Sequence, residues 1–131
     1  MKTLIKLLLF LLLSFSLFNQ NIFASEKIKI GLIVPLSGDN SLIGEKIIKS
    51  IRMAINRIND DRIEIIPKDT KSNPIDTLKV SKELYKEGVK IVIGPVFNES
   101  TKYLDDLKDM TFISLTNKLI DNPKNVISAG V

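Results

Sequence analysis

The chain has 131 residues, 19 lysines and arginines against 15 acids, and no cysteine, histidine or tryptophan. Without histidine there is no Ser-His-Asp triad, and without histidine or cysteine no zinc site of the usual kind, which leaves only oxygen-ligand metals such as calcium or magnesium. No disulfide can form, so cysteine usage says nothing about redox compartment.

The first two dozen residues carry an address. Lys2 and Lys6 make a positive start, residues 7–18 form an apolar run broken only by Ser14 and Ser16, and residues 19–24 pass from polar to small. That is the layout of a secretory signal peptide, which puts residues 1–24 in a leader and the domain in residues 25–131, with a periplasmic or otherwise extracytoplasmic destination. The competing reading is a retained anchor, but the apolar run of 12 residues falls short of the roughly 20 that span a bilayer. Ala24 suits the position before a cleavage whereas Ile22 stands where a small residue is usual, so the bond itself stays open. Loss of Lys2 and Lys6 leaves 17 basic and 15 acidic side chains, and because the signs are interspersed no nucleic-acid partner is expected.

Ile28, Ile30, Leu32, Ile33 and Val34 predict a first strand, closed by Pro35. A turn-rich loop follows, and Gly44 precedes a helix whose apolar positions Ile47, Ile48, Ile51, Ala54, Ile55 and Ile58 share one face, opposite Lys46, Lys49, Arg52 and Arg57. Residues 59–61 break that helix, and Ile63, Ile65 and Ile66 predict a second strand ending at Pro67. Asn73 followed by Pro74 marks the start of a second helix, and Gly88 its end. Lys79, Lys82, Lys86 and Lys90 recur there at helical spacing with Glu83 and Glu87 among them, the pattern of a solvated face.

Residues 89–101 hold the candidate site. Val89, Ile91, Val92 and Ile93 predict a strand buried on both faces, stopped by Gly94-Pro95. Asn98 and Ser100 then offer caps for a third helix over residues 100–109, with Tyr103, Leu104 and Leu107 inward. A strand, a tight turn and a helix N-terminus favour an anion; the same residues also suit an ordinary helix cap. Residues 111–115 predict a fourth strand and residues 126–128 the start of a fifth. This alternation implies an α/β fold, a parallel doubly wound sheet with helices on both faces. Ligands of such sheets sit beyond the carboxyl ends of the strands, which brings together the loops at 36–44, 68–74, 94–100 and 116–123.

Familiar chemistry motifs fail in detail. Gly38 and Gly44 are spaced wrongly for a phosphate loop, Glu45 stands where its lysine belongs, and no Gly-x-Gly-x-x-Gly follows the first strand. Ser37 has no base to activate it, and the Asn98-Glu99-Ser100 sequon is read as a cap. No catalytic residue, metal or cofactor is assigned.

The run Ile28-Lys29-Ile30-Gly31-Leu32-Ile33-Val34-Pro35-Leu36-Ser37-Gly38, then Gly44, the Asn73-Pro74 helix start and the stretch from Gly88 to Gly94, resembles the type I periplasmic solute-binding proteins of the leucine/isoleucine/valine-binding kind. The resemblance covers nearly all of residues 27–131. It implies the first of two lobes that clamp an amino acid or other small carboxylate, in partnership with the membrane permease of an ABC transporter, and it implies a binding protein, not an enzyme. On it, the ligand-binding positions fall on Ile43, Asn98, Leu115 and Thr116, and the Ser37 hydroxyl is expected to face the same space, which makes it a fifth candidate. Ile43 replaces a frequent aromatic, and Asn98 a carboxylate-binding serine. The chain is similar as well to the carboxyl-terminal domain of penicillin-binding-protein activators, through Pro35-Leu36-Ser37-Gly38, the loop from Asp69 to Pro74, Gly94-Pro95 and Asn117. That likeness implies a partner in a cell-wall synthase. The chain is expected to lack the second lobe.

Overall fold

The computed structural model describes residues 26–118 and 123–130, together with Met1, Ile5 and Lys6; the apolar run of the leader lies outside these residues. Five parallel strands, β1 (Ile28–Val34), β2 (Ile63–Asp69), β3 (Ile91–Ile93), β4 (Thr111–Ser114) and β5 (Val126–Ser128), make a sheet in the order β2-β1-β3-β4-β5. β2 does not end at Pro67, as the sequence suggested, but runs through it to Asp69. Among the described residues its only ladder partner is β1, and on such an edge a residue without N–H costs the ladder little.

Helix α1 (Ser41–Ile58) begins three residues before the expected Gly44, which lies inside its first turn. Ile47, Ile48, Ile51 and Ile55 are half-buried, while Ala54 and Ile58 of the predicted apolar face are exposed. Leu32, Ile65 and Pro67 of the sheet and Ile48 and Ile51 of the helix surround a small cavity of ≈ 100 Å³, so α1 seats over β1 and β2 without filling the gap. Helix α2 (Pro74–Lys86) begins as predicted: Asn73 Oδ1 accepts the Ile75 and Asp76 amides at 2.8 and 3.2 Å. Its lysines 79, 82 and 86 face solvent, and Glu83 and Glu87 reach back to Lys68 of β2 at 3.4 and 2.9 Å.

Side chains alternate across a strand. Leu32 therefore faces α1, whereas its neighbour Ile33 joins the main core with Leu84 of α2, Val89, Val92, Leu104, Leu107, Met110, Phe112 and Val126. The face carrying α1 is covered less completely: on the central strand β3, expected to be buried on both faces, Ile91 remains 42% exposed, and on the edge strand β5 Ile127 remains 56% exposed.

The predicted third helix is absent. A 3₁₀ turn (Asn98–Thr101) is followed by further turns in which Leu104, Leu107 and Met110 each donate their amide to the carbonyl three residues earlier. Thr101, Leu104, Leu107 and Met110 are all buried, and Tyr103, expected inward, is 48% exposed. The reason is legible in the spacing. A strict period of three matches the 3.0 residues per turn of a 3₁₀ helix and would drift around a 3.6-residue helix.

Candidate functional site

The site is built where the chain changes direction. From β1 it crosses to β2 on one side, then returns to β3 on the other, so the loops leaving the carboxyl ends of β1 and β3 diverge and a crevice opens between them. Gly94 makes the close packing there possible: its φ is 108°, and a Cβ would lie 2.2 Å from the Ile33 carbonyl oxygen. Just beyond, the Pro95 carbonyl accepts Ser114 Oγ at 3.1 Å and the Leu115 amide at 2.9 Å, tying the loops of β3 and β4 together. Ser128 Oγ in turn donates to the Thr116 carbonyl.

The crevice is a cleft of ≈ 540 Å³ lined by Asn40 after β1, Ser72 and Pro74 after β2, Val96 to Ser100 and Lys102 after β3, and Thr116 and Lys118 after β4. All four loops that the strand order was expected to gather therefore contribute. Among the five candidate ligand-binding residues, Asn98 and Thr116 line the cleft. Thr116 is buried, and its Oγ1 accepts the Lys118 amide at 3.2 Å. Asn98 caps nothing: its Oδ1 is buried and has no hydrogen-bond partner. The other three stand elsewhere. Ser37 is exposed with its hydroxyl donated to Asp69 Oδ2 at 2.6 Å, Ile43 lies 40% exposed on the first turn of α1, and Leu115 is half-buried beside the Pro95 carbonyl.

The helix N-terminus expected at Ser100 does not exist, since the 3₁₀ turn has only four residues, so no helix dipole acts on the cleft from the β3 loop. Its charged side chains are Lys102 and Lys118 against Glu99. Asn40, Ser72 and Lys118 lie in loops that the sequence placed together without singling these residues out, and Lys102 lies just outside those loops. They sit in loops with no periodicity, and only the strand order brings them to one place. Among the described residues no group of three or more acids is placed to hold a metal ion.

Asp69, the last residue of β2, organises one wall. Burial raises its pKa, but hydrogen bonds from Ser37 Oγ and the Leu36 and Lys71 amides outweigh this and hold it below the ordinary value of 3.8. A carboxyl depressed by folding contributes stability above its unfolded pKa that is lost as pH falls through the folded one. We therefore expect the wild-type protein to lose stability below about pH 4 more steeply than an Asp69→Asn variant, in urea melts taken at pH 7, 4 and 3. Asp60, which Arg62 pulls down to about 2, contributes in the same direction, so the comparison belongs in an Asp60→Asn background. Parallel pH dependences with and without the Asp69 carboxylate would show that it does not carry this effect.

A parallel sheet of order 2-1-3-4-5 with a polar cleft across its carboxyl edge defines one lobe of an α/β ligand-binding fold. The chain belongs to the periplasmic binding protein family, whose profile matches residues 27–124. In structure it is similar to a solute-binding protein of an ABC transporter from Rhodopseudomonas palustris in complex with 3,4-dihydroxybenzoic acid, with 26% identity, a TM-score of 0.64, and coverage of 69% of this chain and 27% of that one. The leucine-binding protein LivK of Thermotoga maritima shares the fold at 20% identity and a TM-score of 0.62, over 68% of this chain and 27% of that one. So does the C-domain of LpoA from Haemophilus influenzae, a regulator of PBP1A, at 22% identity and 0.58, over 69% and 28%. The chain thus spans about a quarter of the length of the solute-binding proteins it resembles. Among curated protein sequences none matches it.

Proposed function

We propose that residues 25–131 act as the N-terminal lobe of an exported solute receptor that takes a small carboxylate, an amino acid or a related organic acid, and works with the permease of an ABC-type transporter. In this reading residues 1–24 are the cleaved leader, the protein works outside the cytoplasm by binding and not by catalysis, and a second lobe completes the cleft. The observation that carries the reading is the buried Asn98 Oδ1 without a partner beside the cleft. Buried polar atoms are nearly always hydrogen-bonded, and because Oδ1 accepts, the ligand group suited to it is a donor such as the ammonium of an amino acid or a hydroxyl, with the carboxylate left to other groups of the cleft. Lys102 and Lys118 supply the positive charge that a carboxylate needs.

The test exploits the absence of a cap bond. Removing Asn98 Oδ1 deletes no hydrogen bond of the free protein, so Asn98→Ala should leave its melting temperature unchanged or slightly raised. Losing one hydrogen bond to a charged ligand group costs about 1.5–3 kcal/mol, roughly a ten- to hundredfold loss of affinity. Calorimetric titration of the full-length protein with leucine, benzoate and 3,4-dihydroxybenzoate, before and after the substitution, reads both quantities. Benzoate, which has no donor for Oδ1, should be affected least; tight binding of leucine or 3,4-dihydroxybenzoate that Asn98→Ala leaves untouched removes Asn98 from the site. Failure of the wild type to bind any carboxylate favours the second reading, an envelope regulator acting through contacts with a cell-wall synthase. That alternative rests on the fold shared with the LpoA C-domain.

A further inference from the structure

Asp69 is not among the residues that line the cleft, yet it spends both carboxylate oxygens on the two loops that supply one wall of it. Oδ1 accepts the Leu36 amide at 2.8 Å and the Lys71 amide at 2.9 Å, and Oδ2 accepts Ser37 Oγ at 2.6 Å. Leu36 and Ser37 begin the β1–α1 loop; Lys71 belongs to the β2–α2 loop. Next to this bridge the Thr70 amide donates to the Val34 carbonyl at 3.0 Å, and Asn40 Nδ2 donates to Ser72 Oγ at 3.1 Å. Lys71 and Ser72 both hold positive φ, 48° and 56°, a conformation that costs a residue with a side chain and persists only where its surroundings fix it. The bond from the Lys71 amide to Asp69 is one of the things that fix it.

We propose that Asp69 is the positioning residue of the ligand cleft: its carboxylate clamps the β1–α1 loop to the β2–α2 loop and so sets Asn40 and Ser72 in place to meet the ligand. The proposal rests on the cleft being the ligand site. It also gives Ser37 a role in the clamp, through Asp69. A general structural role would differ in a measurable way. Asp69 lies outside the main core cluster, so its loss should loosen the two loops and leave the sheet alone.

The experiment uses the full-length protein with Asp69→Ala, Asn40→Ala and the double variant. Hydrogen exchange at the Leu36 and Lys71 amides should accelerate about tenfold or more in Asp69→Ala, while Val92 and Phe112 keep their protection. The NMR signals of the Asn40 side-chain amide should shift. With 3,4-dihydroxybenzoate, benzoate and leucine as separate probes, Asp69→Ala should weaken whichever binds by about tenfold, and adding Asn40→Ala should weaken it little further. If Asp69→Ala does not fold, Ser37→Ala, which removes only the Oδ2 bond, should give a smaller change of the same kind. Equal acceleration across loops and core, unmoved Asn40 signals, or losses that simply add would each overturn the proposal. A wild type that binds none of the probes counts against the ligand site, while the exchange and the Asn40 signals still decide whether Asp69 sets the wall.

Discussion

Gly44→Ala is expected to be among the most damaging single substitutions in the chain, although alanine is the better helix former by about 1 kcal/mol. Gly44 is the one buried residue of α1, set where the helix crosses the end of β1. A Cβ built on it would stand 1.8 Å from the Pro35 carbonyl oxygen and 2.8 Å from its carbon. Both are backbone atoms, so no rotamer change can relieve the overlap, and either the helix lifts or the strand end bends. Overpacking that side chains can absorb costs about 1–3 kcal/mol; here we expect about 3 kcal/mol or more, a large share of the roughly 5–15 kcal/mol that holds a domain together. Because Asn40 immediately precedes α1 and bonds Ser72, the cleft wall should be disturbed as well. Urea unfolding of Gly44→Ala beside Lys49→Ala, a control on the exposed face of the same helix, measures this. Equal midpoints for Gly44→Ala and the wild type would refute the close-approach argument.

Phe112→Ala should cost about 3–5 kcal/mol, the range for emptying a buried phenylalanine site. Phe112 is fully buried in the middle of β4, opposite Val92 of β3 and Val126 of β5, and all three belong to the main core. The cavity would open beside the staircase of turns that carries Leu104, Leu107 and Met110, which has no continuous helical ladder of its own to hold it. Loss of protection in residues 98–110 should therefore accompany the fall in stability. Ile127, on the opposite face and 56% exposed, serves as the contrast, with Ile127→Ala expected within about 0.5 kcal/mol of wild type. A Phe112→Ala protein no less stable than Ile127→Ala would mean that the core is centred elsewhere.

What the sequence determined by itself was local pattern. Apolar runs at 28–34, 63–66, 89–93, 111–115 and 126–128, separated by Asn73-Pro74, Gly88 and Gly94-Pro95, specify strands, helix starts and stops through short-range sterics and hydrogen bonding, with the third and fourth strands shorter in the fold (91–93 and 111–114), and from their alternation the parallel sheet follows. The Asn73 cap is legible because a side chain and the amides it serves lie two and three residues apart. The period of three from Thr101 to Met110 is also present in the sequence, masked by the expectation that a cap must open an α-helix.

The sequence brought the four loops to one edge, but the tertiary structure alone decided which of their residues line the cleft. Asn40, Ser72, Lys102 and Lys118 have no common pattern, and their company around Asn98 and Thr116 follows from β1 standing between β2 and β3. Gly44 looks like a helix boundary in one dimension; only the Pro35 carbonyl, nine residues away, makes it the point of contact between helix and strand. Asp69 and Leu36, 33 residues apart, become partners for the same reason: parallel pairing brings the ends of β1 and β2 side by side, and a carboxylate there can bond amides that no local rule assigns to it.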